Sequence, residues 1–276
     1  MRSHVYASRA AALVLGAVLA LPAAAQDPIG DSFRLPLPPS LESPGRGSLA
    51  APAIAIGVPT GFGADWGDAF LGLGLQSRSR YAEKVDGGAV AGIGLGDARR
   101  LVGLEVAVSQ YGTFRSCCRG GLSLKAHRLL PGATGIAVGW ENVTGWGDLP
   151  GGAENAHFTD GGSSVYGAVS RVFFLDRHGP SAYRTVTATV GAGNGRFRRE
   201  SDILDEREAV NPFASLAVRF IEPASVAASW TGQDLNAGIS VVPHPRIPIG
   251  FIVGAADLTT RPRLIAGAGF GFSYLP

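Results

Sequence analysis

From Asp65 to the C-terminus, bulky hydrophobic residues alternate with small or polar ones in short runs separated by turn-forming residues. Ala69, Leu71, Leu73 and Leu75 alternate with Phe70, Gly72, Gly74 and Gln76. Val102, Leu104, Val106 and Val108 alternate with Gly103, Glu105, Ala107 and Ser109, and near the end Leu264, Ala266, Ala268, Phe270, Phe272 and Tyr274 alternate with Gly267, Gly269, Gly271 and Ser273. A period of two is that of a β-strand with chemically different faces. Taken run by run, the pattern predicts about twelve strands, near 68–79, 87–96, 101–111, 120–129, 134–143, 163–174, 183–194, 210–221, 224–232, 234–242, 247–257 and 263–274.

The same period disposes of a tempting motif. Residues 92–100, GIGLGDARR, have the crowded glycines of a dinucleotide-binding turn. Such a turn must open a helix whose N-terminal amides hold the pyrophosphate, and here it is followed by alternating strand residues. Gly92, Gly94 and Gly96 are therefore expected on the small-residue face of a strand, where a missing side chain lets another group or backbone come close.

The links between strands alternate in length. A long link at 80–86 is followed by a short one at 96–100. The stretch TFRSCCRG is followed by LPGAT, the Gly-rich 144–162 by DRHGPS, and the charged GRFRRESDILDERE by EPAS. The contrast weakens afterwards, where TGQ is short and PHPRIP is not tight. Alternation of this kind describes consecutive hairpins whose two ends meet different surroundings.

The N-terminal end adds the compartment. Arg2 and Arg9 precede an apolar run from Ala10 to Leu21, then Pro22 and three alanines before Gln26 and Asp27. This is the plan of a secretory signal peptide, residues 1–25, with cleavage expected after Ala25. Its loss takes two arginines and no acid, so the formal charge of +2 falls to zero, and nothing points to nucleic acid. Residues 26–64 contain Pro28, Pro36, Pro38, Pro39, Pro44, Pro52 and Pro59 and read as a proline-rich periplasmic leader with little fixed structure. Cys117 and Cys118 are adjacent and would close only a strained ring, so a structural disulfide is not expected of them.

The faces decide the architecture. A soluble sandwich or barrel fills its interior with large apolar side chains, yet the non-apolar face here is mainly Gly, Ala, Ser and Thr, as in Thr185, Thr187 and Thr189 opposite Val186, Ala188 and Val190. That face makes a poor dry core and a reasonable wet lumen. The leucine and valine face can lie against lipid, provided that closing the sheet pairs every backbone group. The signal peptide, the even strand count, the alternating links and a last strand ending in alternate aromatics resemble the outer-membrane β-barrels of Gram-negative bacteria, over residues 65–276. The resemblance implies an all-β, closed, antiparallel up-and-down barrel in the outer membrane. It also implies periplasmic termini, and lipid bilayer, lipopolysaccharide and the outer-membrane assembly machinery as partners. In that class the final strand ends on an aromatic, and here Tyr274 is followed by Leu275 and Pro276.

Candidate pore-lining residues are the polar groups at expected lumen positions: Gln76, Arg78, Glu105, Lys125, His127, Glu141, Arg219 and Asn236. Both signs are present, so strong charge selectivity is not expected; the groups either set a permeation path or pair across the interior. His127 shares a face with Ser123 and Lys125, a superficial nucleophile-and-base arrangement. Residues two apart on a strand are roughly 7 Å apart, and no catalytic motif accompanies them, so no enzyme activity is expected. Neither cofactor nor metal is expected, since Asp148, Glu154 and Asp160 lack the spacing of an ion loop. The arginines and acids of 196–208 can pair with each other or with lipopolysaccharide phosphates. Trp66, Trp140, Trp146 and Trp230, with Tyr111, Tyr166 and Tyr183, are expected at strand ends as an interfacial girdle. The function these features favour is a porin-like channel for passive passage of small solutes; the alternative is a non-conducting barrel for surface binding or assembly, for example in surface polysaccharide export.

Overall fold

The computed structural model describes residues 51–78, 80, 83, 85–111, 119–146, 163–176, 184–244 and 247–273. The signal peptide, residues 26–50 of the leader, Cys117, Cys118, Asp148, Glu154, Asp160 and Tyr183 lie outside them. The strands are β1 (Asp68–Gln76), β2 (Asp86–Gly96), β3 (Gly103–Tyr111), β4 (Arg119–Leu130), β5 (Thr134–Trp146), β6 (Ser164–Phe174), β7 (Thr185–Gly193), β8 (Asn211–Ile221), β9 (Ala224–Trp230), β10 (Leu235–Val241), β11 (Ile249–Ala256) and β12 (Arg263–Ser273). Each pairs antiparallel with its chain neighbours, and β1 closes on β12 to complete a barrel. The closing seam runs from Asp68↔Ser273 to Gln76↔Ile265. Each expected strand is found within a few residues of its expected bounds. A single short helix, α1 (Glu200–Leu204), lies among the described residues in the β7–β8 link, after a 3-10 turn at Gly195–Phe197.

The alternation sorts the side chains as its chemistry requires. Leu71, Leu73 and Leu75 of β1 point outward and are exposed, while Gly72 and Gly74 between them and Phe70 and Gln76 on either side are buried inside. Val138, Val190, Val253 and Leu264 continue the outer apolar surface on other strands, each more than 60% exposed. A water-soluble protein would leave so large a continuous apolar surface uncovered; lipid covers it, and the closed ladder leaves no unpaired strand edge in the hydrocarbon. Trp66, Trp146 and Trp230 are exposed at or beside strand ends, as a girdle requires, whereas Trp140, also exposed, lies in the middle of β5. Tyr166 is a correction: it sits on an inward position of β6, buried, because its neighbours Val165 and Gly167 fix the parity of that strand.

The links fold by local rules. After β2 the Asp97 carboxylate accepts hydrogen bonds from the amides of Arg99 and Arg100, a side-chain-capped turn. Between β4 and β5 Gly132 and Ala133 both adopt positive φ, which closes the tight reversal. Link lengths alternate from β1 to β9, so β1 begins at the end of the barrel where those links are short; the link at 231–234 on the opposite end is shorter than that at 242–248.

The lipid-facing assignment makes a prediction. Val253→Arg places a charge on the outer face in the middle of β11 and should cost about 2–4 kcal/mol in unfolding from lipid vesicles, with Val253→Leu near neutral. A water-exposed Val253 would accept the arginine at no measurable cost.

Candidate functional site

The lumen is occupied by the chain itself. Of the stretch read from sequence as a leader outside the barrel, residues 51–64 lie within it, and these and Asp65 are all buried. The segment rises along β8–β10 from Ala51, reverses at Gly57, whose φ is +78°, and returns past β5 and β6 to the short-link end, where Trp66 pairs with Gly94 and β1 starts. The physical reason for the difference lies in residues 53–58, AIAIGV. This stretch is apolar in an otherwise proline-rich, polar region, and burying each Ile or Val is worth ~1.5–3 kcal/mol. Ile54, Ile56 and Phe62 pack with Val172, Ala217, Ala227, Ala256 and Ile265, while Ala55 and Val58 pack with Tyr166, Phe197 and Phe213. Phe197 stacks on Phe213 at 4.6 Å and meets Tyr166 edge-on at 5.8 Å.

A buried segment outside any sheet must still satisfy its backbone. Here the wall does it with hydroxyl groups. The Ala53 amide donates to Ser240 Oγ at 3.0 Å, and Ser225 Oγ donates to the Ala53 carbonyl at 2.6 Å. Ser215 Oγ donates to the Ile54 carbonyl at 3.3 Å, and the Ile56 amide donates to Ser229 Oγ at 2.9 Å. On the returning limb the Gly61 amide donates to Ser170 Oγ at 2.8 Å, and the Ala64 amide to Glu105 Oε2 at 3.1 Å. A hydroxyl rotates to donate or accept as needed, which is why a serine-rich wall suits an irregular backbone.

The reversal at Gly57 is gripped by a buried ion pair. Arg196, from the β7–β8 link, forms a bidentate contact with Glu141 of β5, Nε to Oε2 at 2.6 Å and Nη2 to Oε1 at 2.9 Å. Its Nη1 donates to the Gly57 carbonyl at 2.9 Å, and its guanidinium lies over the Phe197 ring at 4.2 Å. Glycines let the returning limb approach the wall: a Cβ at Gly94 would run into the backbone of Ala64 and Asp65, and one at Gly61 into Gly135. Gly92 accommodates the Phe70 ring, and Gly96 turns the chain at φ +74°. The glycine-rich motif is thus a strand wall against which the inserted segment lies.

The eight candidate pore-lining residues divide by height. Gln76, Arg78 and Asn236 lie at the long-link rim, where Arg78 donates to the carbonyls of Arg261 and Pro262 and Asn236 Oδ1 accepts from the Asp257 amide. Glu105 and Lys125 stand directly opposite each other on β3 and β4. Glu141 holds Arg196. His127 is buried with Nε2 3.2 Å from Asp65 Oδ1, while Ser123 Oγ accepts from the Asn142 amide at 3.2 Å. Arg219 shares the inward parity of β8 but ends at the short-link mouth, donating to the Glu222 carbonyl. These side chains do not converge on one point. Beside the inserted segment, a cavity of about 20 Å³ lies between Glu105, Ser109, Ser123, Lys125, Glu141 and Tyr166, room for about one water.

At the long-link rim, ion pairs join four links. Arg80 reaches Glu200 Oε2 at 3.2 Å, Asp234 Oδ2 at 3.5 Å and Asp257 Oδ1, and Arg263 reaches Asp257 Oδ2 at 3.1 Å. Burial opposes the charge of Asp234, but hydrogen bonds from the hydroxyls of Thr259 and Thr260 and the amides of Thr259 and Leu235 outweigh it. Together they hold its carboxyl below the ordinary range.

Apolar side chains face outward all round a sealed cylinder, and the polar ones face in. This is a β-barrel of the outer-membrane type. No family model matches the chain, and no curated protein matches its sequence. Among solved structures, the barrel is similar to an outer membrane channel from Pseudomonas putida, with 12% identity over 75% of this chain and 96% of that one, at a TM-score of 0.45.

Arg196, Asp65, the four serines of β8–β10 and the inserted segment were not singled out in the sequence. The available signal was the apolar run at 53–58, too greasy to stand in water.

The lowered Asp234 predicts an acid-sensitive rim. A carboxylate with a depressed native pKa contributes its full stability above the unfolded value, near 3.8, and loses it as pH falls through the lower native value. Unfolding midpoints taken from neutral pH downward should therefore drop through this acid range for the native chain, and less steeply for Asp234→Asn. Parallel acid limbs in the two proteins would contradict the assignment.

Proposed function

We propose that the protein is an exported outer-membrane channel that its own segment 51–65 closes, and that small solutes pass passively when that segment leaves the lumen. The observation that carries this reading is the way the lumen is filled. The obstruction is a single stretch of chain outside the sheet, anchored through side-chain hydroxyls, Glu105, His127 and one arginine rather than through strand pairing. Ordering its backbone costs ~1–2 kcal/mol per residue, which opposes the apolar burial and hydrogen bonds that hold it, so it can be displaced without opening the cylinder. With the segment gone, the wall presents hydroxyls on β6–β10 and both signs of charge on β3–β5, an arrangement suited to small polar solutes without strong charge preference. In this reading the short links and the entry of segment 51–65 face the periplasm, and residues 1–25 are the export signal removed on the way.

The filled lumen also favours a second reading, a permanently closed barrel that binds or assembles surface material through its long links. Planar-bilayer recordings separate the two. The native chain should show rare, brief openings, and Ile54→Asp/Ile56→Asp, which puts two carboxylates into an apolar site, should raise open-channel occupancy at least tenfold. A variant that still migrates as a folded, heat-modifiable barrel yet passes no current would overturn the channel and leave the closed barrel.

A further inference from the structure

We infer that the inner face of β8–β10 is a binding track for an uncharged peptide segment, and that residues 51–58 occupy it as a built-in ligand. The inference rests on the inserted segment being displaceable, as proposed above, but not on any solute passing. Four serines define the track: Ser215 on β8, Ser225 and Ser229 on β9, and Ser240 on β10, at inward positions of three consecutive strands. They are cross-linked in register, with Ser215 opposite Ser229 and Ser225 opposite Ser240, and Ser229 Oγ donates to Ser215 Oγ at 2.9 Å. All four are at most 6% exposed.

What they touch is main chain. Both the amide and the carbonyl of Ala53, the carbonyl of Ile54 and the amide of Ile56 are bound by these hydroxyls. Main-chain recognition fixes how a peptide backbone lies in the track without fixing its sequence, with side-chain pockets supplying selectivity. Those pockets are visible. Ile54 and Ile56 enter the cluster formed with Ala217, Ala227, Ala256 and Ile265, and Ala55 and Val58 enter the aromatic one of Tyr166, Phe197 and Phe213. The ligand is therefore a segment that alternates small and β-branched apolar residues, as Ala53, Ile54, Ala55 and Ile56 do. A charged residue at the position of Ile54 or Ile56 would be buried among the apolar side chains of that cluster.

The test uses the full-length chain carrying Ile54→Asp/Ile56→Asp, folded in detergent, and a fluorescent synthetic peptide copying residues 51–58, read by anisotropy. Saturable binding is expected, at least tenfold weaker when the peptide is N-methylated at the positions of Ala53 and Ile56, and weaker again on a chain that also carries Ser215→Ala and Ser229→Ala. Equal affinity of the methylated and unmethylated peptides, or no binding to a folded barrel, overturns the track. Should the double aspartate chain not fold, Val58→Asp disturbs the end of the segment alone and is read in the same way. Current without peptide binding removes the track and keeps the channel, whereas peptide binding without current removes the channel and keeps the track.

Discussion

A peptide segment without regular secondary structure can be buried only if something outside it hydrogen-bonds its backbone. In this barrel that constraint is met by wall hydroxyls together with Arg196 and Glu105, and the composition of the inner face follows from it. Hydrocarbon on the outside already requires a closed ladder, so the inner face need not supply a dry core of its own. It must instead satisfy the amides and carbonyls of residues 53–64, leave room for their backbone, and receive their few large side chains. Serine, glycine and small patches of aromatic and aliphatic surface do these three things.

The insertion is also linked to the rim. Arg196 binds the Gly57 carbonyl and Glu141 at once, and it precedes α1 by only a few residues. Glu200 of α1 pairs with Arg80, which in turn reaches Asp234 and Asp257. A buried arginine with a bidentate carboxylate is costly to leave half-paired, about 3–5 kcal/mol when one partner is removed. The reversal at Gly57 is thus held through the same link that the rim ion pairs position, which makes the β7–β8 link the mechanical connection between the long-link end and the lumen.

The architecture was legible in the sequence because a two-residue period on both faces leaves little freedom: once Leu71, Leu73 and Leu75 face lipid, Gln76 and Gly72 must face in. Seven of the eight candidate pore-lining residues are buried on the inside for that reason, and Arg219 keeps its parity while its long side chain reaches the mouth. Tyr166 misled because its position near a strand start resembles that of girdle residues, and parity outweighs position. The insertion was not legible. Prolines 52 and 59 flank a run whose apolar character only has meaning once a lumen of matching length exists to receive it, and the serines that bind it look like any wettable wall. Arg196, in a link full of arginines and acids, has no local mark distinguishing it from Arg198 or Arg199.

Hydrogen–deuterium exchange of the full-length barrel in lipid tests the central claim most directly. If residues 53–64 are hydrogen-bonded within the lumen, the amides of Ala53, Ile56, Gly61 and Ala64 exchange orders of magnitude more slowly than those of an unstructured peptide, and Ser229→Ala speeds Ile56 selectively. Exchange of these four amides at the rate of a free chain, with the strands protected, would contradict the account.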